Sequence, residues 1–294
     1  MTEFKKYHPL INLIYFIFVI GFSMFFLNPV CLLISFFASV FYSFVLNGKR
    51  NIKFFLLFLL PMAVLTMLIN PIFNHEGVTV LAYLPNGNPL TMESFVYGFA
   101  AGIMLISVIS WFSCFNSILT SDKVIYLFGR MLPSVSLILS MVLSFVPRFR
   151  ERAKQIYYAR CGLNLNASKG FQGKIKELMA ISSVMVSWSL ENSIETADSL
   201  KSRGYGLGSR TAFSNYRFSK HDILMLVSVL ILGIIIIWNA FNKTFSFTYF
   251  PIINNVNVVP KNLFAYLSYF LLCSLPLNIE IWEVLKWKRL KSKI

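Results

Sequence analysis

Between Phe95 and Phe115 the chain runs for twenty-one residues without a charged side chain. An α-helix rises about 1.5 Å per residue, so this run extends about 32 Å, against a bilayer hydrocarbon core of about 30 Å. Four further runs are of membrane-crossing character: Leu10–Leu27, Val30–Leu46, Phe54–Ile69 and Ile223–Trp238. A sixth, Leu263–Ile279, carries Pro276 near its end. With 56% hydrophobic and 13% charged residues, the composition excludes an ordinary soluble domain. The first run follows EFKKYHP and no small-residue cleavage site separates it from the next, so it reads as a retained span rather than a signal peptide.

Loop charge orients these spans. Lys5, Lys6, Lys49, Arg50 and Lys53 share one side with the tail KWKRLKSKI, whereas residues 70–92 contain no lysine or arginine. The positive-inside rule then places both termini in the cytoplasm, and six spans return the chain to its starting side. The outer segment VTVLAYLPNGNPLTM alternates apolar positions around Asn86-Gly87, which predicts a small hairpin with a tight turn. Gly98 and Gly102 form a GxxxG spacing that lets a neighbouring helix approach closely.

The segment from Arg148 to Lys220 holds thirteen basic residues and five acidic ones, which makes it cytoplasmic. The net charge of +15 is explained by such loops and does not require a nucleic-acid partner. Two apolar stretches, residues 133–147 and 178–190, are too short to span and continue into charged helical sequence. Two long helices are expected, over about 134–160 and 174–203, with their first halves at the inner membrane surface. Ser121 followed by DKVIYLFGRML predicts a capped interfacial helix. Ser189, Ser193 and Ala197 repeat every four residues and predict a small-residue face for close helix crossing.

Each long helix ends on an arginine before a glycine: Arg160 before Cys161-Gly162, and Arg203 before Gly204. A cation in the last turn complements the helix dipole, by about 0.3–1 kcal/mol. Its repetition at two helix ends, each time after a small residue (Ala159, Ser202), points to a shared role. A guanidinium presents a planar fork of donors matched to carboxylate or phosphate, and two forks fit two equivalent acidic sites on a dimeric partner.

Catalytic readings find little. GYGLG follows no strand, and GFQGK lacks the spacing and the hydroxyl residue of a phosphate-binding loop. Cys31, Cys114, Cys161 and Cys273 form neither a disulfide framework nor a zinc spacing, and His8, His75 and His221 lie singly at run edges. No catalytic residue, metal site or cofactor is expected.

The ordered series LTSD (119–122), LPSVSLILSMVLSFVPRFRERAKQIYYARCGLN (132–164) and ENSIETADSLKSRGYGLGSRT (191–211) resembles the transmembrane T component of energy-coupling factor transporters, a family that includes the cobalt-uptake Q proteins. The resemblance covers about ninety residues. It implies two coupling helices, each ending in an Ala-Arg-Gly-type motif whose arginine docks into one subunit of an ATPase dimer. Here the motifs are Ala159-Arg160-Cys161 and Ser202-Arg203-Gly204, with Cys161 in place of the usual glycine. Cys161 is therefore expected in right-handed helix, with Gly162 closing the helix at positive φ. The implied partners are two ATP-binding subunits, a membrane-embedded substrate-binding S component, and the lipid bilayer.

The expected fold is an all-α integral membrane protein with about six transmembrane helices, a coupling region of two long crossing helices and a short interfacial helix. Its divisions are 1–118 (four spans), 119–220 (coupling region) and 221–294 (two spans and a basic tail), in a bacterial-type cell membrane. The implied function is that of scaffold and transducer in uptake of a vitamin or metal ion. The alternatives are a conventional ABC importer permease and an integral membrane enzyme acting on lipids, for which Glu191, Glu195 and Asp198 are the available acidic cluster.

Overall fold

A computed structural model describes residues 3–83, 87–131, 133–163, 170–204, 216, 218–253 and 260–291. Among the described residues the fold is all-helical apart from one short hairpin. Proline and a capping side chain start the first two helices. His8 Nδ1 accepts the Leu10 N–H before α1 (Pro9–Phe25), and Asn28 Oδ1 accepts the Val30 N–H before α2 (Pro29–Asn47). Each cap satisfies a donor that the first turn leaves open, and the proline has no N–H to leave open. Gly48, at φ +56°, ends α2 in a conformation that a side chain disfavours.

The next helix begins as α3 (Lys49–Phe54), widens to a π-helical stretch over Phe55–Leu59, and continues as α4 (Leu60–Phe73). Pro61 has no N–H to offer the Leu57 carbonyl, and the ladder shifts there so that the Leu60 N–H bonds to Phe55 O. Strands β1 (Val80–Tyr83) and β2 (Pro89–Thr91) pair antiparallel, Val80 opposite Thr91 and Tyr83 opposite Pro89. The hairpin is as expected, but residues 84–88 join its strands, so the connection is longer than a two-residue turn. Gly87 has φ +80°, and Asn86 lies outside the described residues.

The long helix α5 (Met92–Ile118) follows, then α6 (Ser121–Met131), α7 (Pro133–Gly162), α8 (Phe171–Ser202), α9 (Lys220–Phe241) and α10 (Pro260–Lys291). Ser121, expected as a cap, is the first residue of α6, and Thr120 O accepts the first backbone bonds, from Lys123 and Val124. A reciprocal capping box between Ser219 and Asp222 opens α9.

Among the described residues, five helical segments are long and apolar enough to cross a membrane: Pro29–Asn47, Ile52–Phe73, Met92–Ile118, Lys220–Phe241 and Asn262–Lys291. The remaining expected span is the 17-residue apolar helix α1. The protein is thus a multi-span helical membrane protein.

The chain divides into two compact units, Met1–Val124 with Tyr216–Ile294, and Ile125–Asn215. In the first, Phe4, Tyr15, Phe16, Tyr42 and Trp111 form a fully buried aromatic centre with rings meeting edge-on. Trp111 Nε1 donates to Ser35 Oγ at 3.1 Å, and Ser35 pairs with Ser23 at 2.8 Å, so α1, α2 and α5 are joined by polar bonds inside an apolar core. The GxxxG pair packs as the spacing predicts. A Cβ built on Gly98 would stand 3.0 Å from Met67 O, and one on Gly102 would stand 3.0 Å from Ala63 O, both backbone atoms of α4.

Among the described residues of this unit one lysine is buried. Lys123 is 4% exposed, and its Nζ donates to the Lys5 carbonyl and, at 3.0 Å, to the amide oxygen of Asn12. The Asn12 amide in turn donates to Phe4 O at 3.3 Å. The start of α6 is therefore tied to the Glu3–Lys6 3-10 turn and to α1. Desolvation, aided by the neighbouring Lys5 charge, lowers the Lys123 pKa to about 8.

Candidate functional site

The second unit is built on α7 and α8, and each presents one half-buried stripe. On α7 it comprises Phe145, Phe149, Ala153, Ile156 and Arg160; on α8 it comprises Glu177, Ile181, Met185, Trp188, Asn192, Thr196 and Leu200. These spacings of three and four residues keep each set on one helical face. Phe149 meets Trp188 edge-on, with ring centroids 5.4 Å apart and an interplanar angle of 90°. The Arg152 guanidinium lies 5.6 Å from the Trp188 ring, and that of Arg148 lies 5.9 Å from Phe145.

The helices run antiparallel. Moving forward along α7 from Phe149 to Tyr157 reaches the neighbourhood of Glu177, which precedes Trp188. The Tyr157 hydroxyl is shifted up in pKa first by its hydrogen bond to Cys161 and the Cys161 charge, and then by the Glu177 charge. Antiparallel pairing sets the two arginine-bearing tips at opposite ends. Glu177 and Arg203 are twenty-six residues apart on α8, so the tips are separated by about 39 Å along it.

At the α8 tip, Ser202 is the last helical residue, Arg203 has φ −82° and ψ 8°, and Gly204 has φ +76°. The Gly204 N–H bonds to Lys201 O at 2.9 Å, and the Arg203 N–H to Ser199 O at 3.2 Å. Glycine is required there because the left-handed turn disfavours a Cβ. Ser202 and Arg203 are exposed, Gly204 half-buried.

The α7 tip differs. Cys161 is helical, as expected, but Gly162 is helical too and has no positive φ, and the Leu163 N–H still bonds to Ala159 O at 3.2 Å. The expected closure at Gly162 is therefore incorrect. With Leu163 continuing the ladder, glycine ends the helix in a right-handed conformation rather than turning the chain. Arg160 sits inside the last helical turn, while Arg203 sits just past one. Ala159 is exposed, and Arg160 and Cys161 are half-buried. Arg160 Nε and Glu177 Oε1 are both cut off from solvent and have no hydrogen-bond partner.

The small-residue face lies elsewhere than the helix pairing. Ser193 and Ala197 are exposed, only Ser189 is half-buried, and Ser193 Oγ bonds back to Ser189 O at 2.7 Å. Apolar side chains of α8 also face outward, with Leu178, Met179, Val186, Leu190 and Ile194 at 60–68% exposure. Glu191, Glu195 and Asp198 are exposed as well. Residues 205–211 of the second motif lie outside the described residues.

Sequence reasoning passed over Trp188, Phe149 and Glu177, although the spacing of positions 145, 149, 153, 156 and 160 marks the α7 stripe. It also passed over a cleft of about 590 Å³ in the first unit, whose lining includes Glu3, Asp222, Glu283 and His221. Asp222 is committed there to structure, accepting from the His8 and Ser219 N–H groups and from Ser219 Oγ. Among the described residues no three His, Cys, Asp or Glu side chains cluster as metal ligands. No protein-family model and no curated protein matches the chain.

Proposed function

We propose that this multi-span membrane protein is the transducer subunit of an energy-coupling-factor-type importer. In this reading it holds neither nucleotide nor transported substrate and catalyses no reaction. Two ATP-binding subunits dock on it, one at Ala159-Arg160-Cys161 and one at Ser202-Arg203-Gly204. Each arginine offers its fork to a carboxylate in a groove of its subunit, and the small residue before it lets the helix tip come close. ATP binding and hydrolysis change the separation of the two subunits; the α7 and α8 tips follow, and the antiparallel pair carries the motion into the membrane. An S component that delivers a vitamin or metal ion is the body moved. Both termini lie in the cytoplasm of a bacterial-type cell.

One observation carries this reading: a single chain presents two long helices, one with Arg160 in its last turn and one with Arg203 just past its end, and the two arginines lie about 39 Å apart along α8. Such a separation suits two equivalent sites on a dimer better than one ligand gripped from both sides. The exposed apolar face of α8 supports a further partner, since a purely solvated helix pair would not leave Leu178, Met179, Val186, Leu190 and Ile194 uncovered.

The test is uptake by cells carrying Arg160→Ala, Arg203→Ala and the double variant, with membrane insertion checked by fractionation. Losing a charge-assisted contact to a desolvated carboxylate costs about 2–5 kcal/mol, so each single variant is expected to impair transport and the double variant to abolish it. Normal transport by an inserted double variant would refute the coupling role.

A further inference from the structure

We propose that Glu177 is the internal seat of Arg160, a carboxylate of α8 that holds the α7 guanidinium until an outside carboxylate takes it. The helix register places the two side chains opposite one another. Arg160 stands eleven residues after Phe149 on α7, and Glu177 stands eleven residues before Trp188 on α8. Phe149 and Trp188 are in ring contact and the helices run antiparallel. Eleven residues rise about 16.5 Å on either helix, so the second pair lies level as the first does. Eleven residues are also close to three full turns, so Arg160 leaves α7 on the face that carries Phe149, and Glu177 leaves α8 on the face that carries Trp188.

Burial agrees with this register. Both residues are half-buried members of the facing stripes, and the one orphaned atom of each, Arg160 Nε and Glu177 Oε1, is sealed from water. A buried donor and a buried acceptor of opposite charge left unmade are costly, and a side-chain rotation that joins them removes both costs together. The neighbouring charges on α8, Lys174 and Lys176, are exposed and repel a guanidinium, while Tyr157 and Cys161 on α7 bond to each other. Among the described residues, Glu177 is the carboxylate available at this level. Among the described residues the α8 tip has no equivalent arrangement: Arg203 is exposed beyond the last turn, and the acidic residues near that end of its helix, Glu195 and Asp198, are exposed as well. The two tips are therefore unequal, one with a half-buried arginine opposite a carboxylate and one with an exposed arginine.

What Arg160 is released to rests on the proposed coupling function; the pairing with Glu177 does not. The pairing is tested on the full chain in detergent by thermal unfolding of Arg160→Glu, Glu177→Arg and the double charge swap. Each single variant is expected to lower the midpoint, and the swap to recover at least half of the loss. A swap no more stable than the worse single variant overturns the pairing. The competition is tested by titrating the copurifying ATP-binding subunits onto the chain. The isosteric Glu177→Gln variant is expected to bind them about two- to five-fold more tightly than the parent, the range an exposed or half-exposed ion pair can supply. Glu177→Asp is expected to keep the parent affinity, and Arg203→Ala to lose affinity. Unchanged or weaker binding by Glu177→Gln, with Arg203→Ala weakened, overturns the internal seat and leaves the coupling function standing. If neither Arg203→Ala nor Arg160→Ala alters binding, the coupling function fails, while the charge swap still decides the pairing.

Discussion

Replacing Gly98 with valine attacks a close approach between two helices of the membrane region, α4 and α5. A Cβ at this position stands 3.0 Å from Met67 O, 3.0 Å from Asn70 Cβ and 3.2 Å from Met67 Cα. Two of those three atoms belong to the α4 backbone, which has no rotamer with which to retreat. Alanine alone would require a shift of a few tenths of an ångström and would gain about 0.8–1 kcal/mol of helix propensity, so its two effects nearly offset. Valine adds two γ-methyl groups to the same gap and regains less propensity, and overpacking of this kind costs about 1–3 kcal/mol. Only 6% of the residues in the apolar window of Ile52–Phe73 are buried within the chain, so α5 is its main support and little else resists its displacement. The expected outcome is a loss of about 2 kcal/mol, read as a lower thermal midpoint of the purified protein in detergent. Gly98→Ala should lie within about 1 kcal/mol of the parent. A valine variant as stable as the parent would refute the close approach of α4 and α5.

Two further outcomes follow from named contacts. Lys123 has a folded-state pKa of about 8 against an ordinary 10.5, so between those values the unfolded chain binds a proton that the folded chain has shed. Stability should therefore rise from pH 8 to pH 10.5, relative to a Lys123→Met variant that lacks this titration, and identical pH profiles for the two would contradict it. Trp188→Ala removes an edge-on aromatic contact with Phe149 and a cation–π contact with Arg152, together about 1–2.5 kcal/mol. Limited proteolysis within residues 125–215 should accelerate in that variant and return toward the parent rate in Trp188→Phe; an unchanged rate in Trp188→Ala would refute the packing role.

Features set by local chemistry were legible in the sequence. The helices α1 and α2 start at Pro9 and Pro29 behind His8 and Asn28, and Gly204 takes the left-handed turn that a glycine after a helix end suggests. Gly98 and Gly102 mark a close approach because a missing side chain is visible in any context. Gly162 shows the limit of that logic: glycine permits a left-handed turn without imposing one, and the Leu163–Ala159 backbone bond decides against it. Ser189, Ser193 and Ala197 mark a face that could be approached, but the pairing went to the neighbouring face, where Trp188 supplies more buried surface than serine can. Lys123 carries a charge that a sequence assigns to solvent, and only the assembly of the 3-10 turn and α1 around it makes it a buried tie. Glu177 was hidden for a related reason, since its opposition to Arg160 depends on the antiparallel register of two helices.

In the proposed function the two arginine-bearing tips are separate docking points for two ATP-binding subunits. Native mass spectrometry of the detergent-purified complex counts those subunits per chain. Two are expected for the parent, one for either Arg160→Ala or Arg203→Ala, and none for the double variant. A parent chain that carries no ATP-binding subunit, or a double variant that still carries two, would contradict the account.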